Sequence, residues 1–143
     1  MFTWCADHGI IILPFLFVAG DYSVKDSSCI VDRKANIEEL HDNFIITERF
    51  HRYCRSAQLA DLLGKRLVYV TATKPEDQVS TLKDLKHFSR PGSHDGQPKL
   101  DGEWLYNQIV RYQTWYPHTD FMFVPEDKLC ETIYQVVCDG VNS

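Results

Sequence analysis

A chain of 143 residues is one domain's worth, and it is long enough to bury about two-thirds of its unfolded surface. With 44% hydrophobic and 24% charged residues it lies outside the disordered class. Fifteen basic residues against twenty acidic ones, a net charge of −5, give no average signal for gripping a phosphate backbone, so nucleic acid is set aside as a partner.

The apolar run at 9–19 is too short to cross a bilayer, which takes about 20 residues. Val18 and Gly20 are small enough to precede a signal-peptide cut before Asp21. The first eight residues, however, hold Asp7 and no Lys or Arg, so the run reads as part of the folded domain. Residues 10–18, between Gly9 and Gly20, predict a buried strand, which Pro14 places at an edge or breaks. Residues 22–34 are polar and predict a loop.

Asn36 followed three residues later by Glu39 is a capping pattern, and Ile37, Leu40 and Phe44 then recur at helical spacing. In the next helix Phe50, Tyr53, Cys54, Ala57, Ala60 and Leu63 make one stripe, and Gly64 stands where a C-cap glycine belongs. The basic cluster Arg49, Arg52 and Arg55, with Lys65 and Arg66, reads as a solvated face. Residues 67–73 (LVYVTAT) are β-branched and aromatic and predict a strand. Thr73 and Glu76 around Pro75 form a capping box for a helix facing inward with Val79, Leu82, Leu85 and Phe88. Residues 89–102, with three glycines and two prolines, make the longest loop. Asp101 predicts the N-cap of a helix whose stripe is Leu105, Ile109, Tyr112 and Tyr116 and which Pro117 ends. Residues 121–124 predict a short strand. Pro125 opens a last helix with Glu126 and Asp127 in its first turn, and Gly140 terminates it.

Strands alternating with helices predict an α/β fold: a small three-layer domain over 1–143, with a short, mainly parallel sheet of about three strands flanked by helices.

The common nucleotide-binding, serine-hydrolase and zincin signatures are missing. Five cysteines without C-x-x-C spacing suit reduced thiols and a cytoplasmic setting, and Cys54, inside a helical stripe, is expected to be buried and inert. Ligands of open α/β sheets collect at strand C-terminal ends, which makes Asp21, Thr71, Thr73 and Glu126 the candidate ligand rim. His94, Asp101 and His118 are the candidate catalytic set, two imidazoles and a carboxylate suited to acid–base work or to a divalent metal. His94 and Asp101 are spaced as in the H-x6-D element of D-Ala-D-Ala carboxypeptidase-like metallopeptidases, which they resemble in these two residues; Gly92 and Gln97 stand where that family has a serine and a glycine. The resemblance implies metal-assisted hydrolysis. Leu59-Ala60-Asp61-Leu62-Leu63-Gly64, with Val70 and Thr71, resembles the core of a bacterial helix-turn-helix, which implies a recognition helix over 66–73.

Trp104 and Trp115 fall off the stripe of their helix, and an exposed tryptophan marks a partner surface. Two function classes follow. One is a small acidic interaction or inhibitor-type protein that binds a protein partner, or a second copy of itself, through the aromatic helix 104–116, with no membrane involved. The alternative is a small hydrolase with its site at the strand ends and loop 89–102.

Overall fold

The structure, a computed structural model, describes residues 1–11, 19–91 and 99–141. The elements run α1 (Phe2–Asp7), β1 (Cys29–Lys34), α2 (Ile37–Ile45), α3 (Thr47–Leu62), β2 (Arg66–Thr73), β3 (Ser89–Arg90), β4 (Leu100–Asp101), α4 (Gly102–Trp115), β5 (Thr119–Pro125) and α5 (Leu129–Asp139). Short 3-10 turns lie at Pro75–Asp77, Leu82–His87 and Glu126–Lys128. The main sheet is parallel throughout, in the order β1-β2-β5, and β3 and β4 form a separate antiparallel pair.

β2 is central and buried on both faces, as a parallel strand must be. Its side chains alternate: Leu67 and Tyr69 join the core beneath α2, α3 and α4, while Val68, Val70 and Ala72 join Leu129, Ile133 and Val137 of α5. Helices therefore cover both faces, the three-layer α/β arrangement expected. On the larger side, the hydroxyls of two buried tyrosines, Tyr69 and Tyr112, and the backbone of a third, Tyr53, form a hydrogen-bonded chain. Tyr112 donates to the Tyr53 carbonyl at 2.8 Å, so the 2.7 Å contact between Tyr69 and Tyr112 has Tyr69 as donor.

Local signals explain the helix ends. The Asn36 side chain accepts from the Glu39 amide at 2.8 Å. Gly64 takes a φ of +67°, and the Lys65 and Gly64 amides return to the Ala60 and Asp61 carbonyls, a Schellman close. Gly102 is required by close approach, since a Cβ there would collide with the Leu85 and Phe88 carbonyls.

Three expectations are corrected. The first strand of the sheet is β1, inside the segment expected to be a loop. Of the run expected to supply it, residues 12–18 lie outside the described residues, and 10–11 are not strand. The helix expected after Thr73 is two 3-10 turns. Asp77 accepts the Lys74 amide, Asp84 accepts the Ser80 and Thr81 amides, and Gln78 between them has a φ of +55°. These side-chain bonds compete with a continuous helix. Residues 66–73 are a strand paired on both sides, which removes the recognition helix implied by the helix-turn-helix resemblance.

Candidate functional site

Alternation along β1 places Val31 toward α5 and Ile30, Asp32 and Lys34 toward α2 and α3. An edge strand thus turns two charged side chains inward, in register with Tyr69 and Thr71 of β2. Buried charges need partners. The Lys34 ammonium lies 2.9 Å from Asp32 Oδ1, 4.0 Å from Glu39 and 5.1 Å from the centre of the Tyr53 ring.

These residues form the floor of a cleft of about 540 Å³ between the end of β1 and the α2–α3 pair. Asn43 of α2 and Arg49, Arg52 and Ser56 of α3 complete its walls. Burial pushes the Asp32 carboxyl up to about 6, against the pull of the Lys34 ammonium and with a further push from Asp21. Burial, and then the charge of Asp32, raise the Tyr53 hydroxyl well above its ordinary value. Among the described residues, the buried side-chain oxygens and nitrogens without a hydrogen-bond partner are two, Asp32 Oδ1 and the Tyr53 hydroxyl. Both residues line this cleft, the two atoms themselves being buried beneath its surface, and the Lys34 ammonium holds Asp32 Oδ1 as an ion pair at 2.9 Å.

The mouth is basic. Arg49 and Arg52, three apart on α3, share a face. Arg49 reaches Asp42 at 3.8 Å, and Arg52 is exposed without an ion pair among the described residues.

The residues singled out from the sequence do not assemble into one site. His94 lies outside the described residues. Asp101 caps α4, accepting the Glu103 amide at 3.0 Å, whereas His118 follows the other end of that helix. Fourteen helical residues separate them by about 20 Å, so they cannot share a substrate atom. His118 Nε2 lies 2.6 Å from the Ala57 carbonyl and its other ring nitrogen faces Asp61 at 3.8 Å, which holds the ring against α3.

On the rim, Asp21 accepts the Arg33 amide at 2.8 Å, beside β1. Thr71 and Thr73 are buried on the face that carries Asp32, and Thr73 donates to the Val124 carbonyl at 3.2 Å. Glu126 is exposed in a 3-10 turn beyond β5. Of the two tryptophans, Trp104 is half-buried with its ring edge-on to His41, a correction to its expected exposure, while Trp115 is 49% exposed beneath the Arg111 guanidinium. Cys54 is half-buried.

Among the described residues no group of three His, Cys, Asp or Glu side chains is placed to hold a metal, and no helix is long and apolar enough to cross a membrane. Comparison with protein-family models, with curated proteins and with solved structures finds no match.

Sequence reasoning missed Asp32, Lys34 and Tyr53. The usable signal was the Asn36–Glu39 cap. A helix start directly after Cys29-Ile30-Val31 marks a strand-to-helix junction, and the strand's last residues then fall where ligands gather.

Proposed function

We propose that this domain binds a small polar ligand in the cleft between β1 and α2–α3, with Asp32 as a group able to exchange a proton with it. The observation that carries the reading is that one cleft is lined by a buried Asp32–Lys34 ion pair and by Tyr53, whose buried hydroxyl has no hydrogen-bond partner. A buried polar group without a hydrogen bond destabilises a fold by about 1–3 kcal/mol, and a buried charge pair adds its own desolvation, so the two side by side point to a role outside stability. A carboxyl held at about 6 is poised for proton exchange near neutral pH. This keeps the small-enzyme alternative and moves its site from His94, Asp101 and His118 to Asp32, Lys34 and Tyr53. The five thiols, all free, suit a reducing, cytoplasmic setting.

A thermal-shift screen of small polar compounds tests the reading, because a ligand selective for the folded state raises the melting temperature. Hits are expected to lose their effect in Asp32→Asn and Arg52→Gln. Hits that stabilise both variants as well as the parent would place the ligand elsewhere.

A second reading, a protein partner or second copy bound through α4, is favoured by one observation. Trp115, at the C-terminal end of that helix, is 49% exposed with the Arg111 guanidinium over its ring. Sedimentation of the parent and of Trp115→Ser tests it: association that the substitution abolishes supports it, and a monomer in both cases removes self-association.

A further inference from the structure

Resting on the reading of the cleft above, we infer that its ligand is a phosphorylated small molecule bearing hydroxyl groups, its phosphate at the mouth against Arg49 and Arg52 and a hydroxyl at the Asp32 floor.

The cleft is polarised. At the floor Lys34 stands within 4.0 Å of two carboxylates, Asp32 and Glu39, so the inner end has more acceptors than cations. At the mouth, Arg52 has no ion pair among the described residues, and Arg49 has one loose contact, 3.8 Å to Asp42. A ligand complementary to this gradient is anionic at its outer end and a hydrogen-bond donor at its inner end. An inner ammonium is disfavoured by the Lys34 charge beside Asp32, whereas a hydroxyl can donate to the carboxylate. At the outer end two guanidinium forks, three residues apart on one helix, match a phosphate better than a carboxylate. A phosphomonoester offers three oxygens and close to two charges, enough for both forks. The volume of about 540 Å³ is that of a small-metabolite site.

Isothermal titration at fixed ionic strength provides the test, with glycerol 3-phosphate, ribose 5-phosphate and glucose 6-phosphate, their unphosphorylated parents, inorganic phosphate, and lactate and gluconate as carboxylates. At least one phosphate ester is expected to bind, with its parent tenfold or more weaker. Arg52→Gln is expected to weaken it on the order of tenfold to a hundredfold, as loss of a charged hydrogen bond does. Asp32→Asn is expected to weaken the ester and leave inorganic phosphate unchanged. Failure of every phosphate ester to bind overturns the inference, as does a carboxylate that binds more tightly than all of them. Binding of an unphosphorylated parent equal to its ester, insensitive to Arg52→Gln but abolished by Asp32→Asn, overturns the phosphate assignment while upholding the cleft. Ester binding insensitive to Arg52→Gln and Asp32→Asn alike overturns the inference and the cleft together.

Discussion

Replacing Asp32 by Asn removes a charge that the fold holds at the expense of its own stability. The carboxyl rises from 3.8 to about 6, and at about 1.4 kcal/mol per unit the ionised form destabilises the native state by about 3 kcal/mol. The folded-state value is the raised one. Asp32 therefore contributes stability below about pH 4, and that contribution is lost as the pH climbs through about 6. Part of the gain in Asp32→Asn is offset, because Lys34 loses its 2.9 Å partner and keeps Glu39 at 4.0 Å and the Tyr53 ring. The variant is expected to exceed the parent by about 1–3 kcal/mol at pH 8 and to match it within about 0.5 kcal/mol at pH 4. Urea unfolding from pH 4 to pH 8 reads this directly, as a midpoint difference of roughly 1 M that opens between about pH 4 and pH 6 and is level above, at slopes of about 1–3 kcal/mol per M. Parallel pH profiles for the two proteins, or a less stable variant at pH 8, would refute the reasoning.

Three other substitutions probe the packing around the site by the same unfolding assay. Tyr53→Phe deletes a buried hydroxyl that has no partner and is expected to stabilise the fold by about 1 kcal/mol; a loss of that size would show that the hydroxyl is satisfied in solution. Tyr112→Phe leaves the Tyr69 hydroxyl without its acceptor and the Tyr53 carbonyl without its donor, and a loss of about 1–3 kcal/mol is expected. Gly102→Ala drives a methyl against the Leu85 and Phe88 carbonyls and is expected to lose about 1–3 kcal/mol, with an unchanged midpoint contradicting that close approach.

The fold class was legible because β2, α2, α3, α4 and α5 each carry an unambiguous period and a cap or stop: Asn36, Gly64 and Asp101 act as their residue types suggest. The first strand was not. β1 ends in Asp32-Arg33-Lys34, which by composition resembles a loop, and the features that disguise it as one are those that make its inner face a site. The 3-10 segments misled for a different reason. Val79, Leu85 and Phe88 are buried as a helix would bury them, yet Asp77 and Asp84 close local turns around Gln78. His94, Asp101 and His118 were chosen by residue type, and type carries no information on distance. The length of α4 separates the last two, and a strand-to-helix junction assembles Asp32, Lys34, Glu39 and Tyr53 from three elements instead.

The most direct measurement is backbone amide NMR of the labelled chain with the best-stabilising compound of the screen at saturation. Shift changes confined to residues 32–34, 39–43 and 49–56, the walls of the cleft, are expected. Changes centred on Trp115, with those three segments unmoved, would contradict the cleft as the site and favour the C-terminal end of α4 as the working surface.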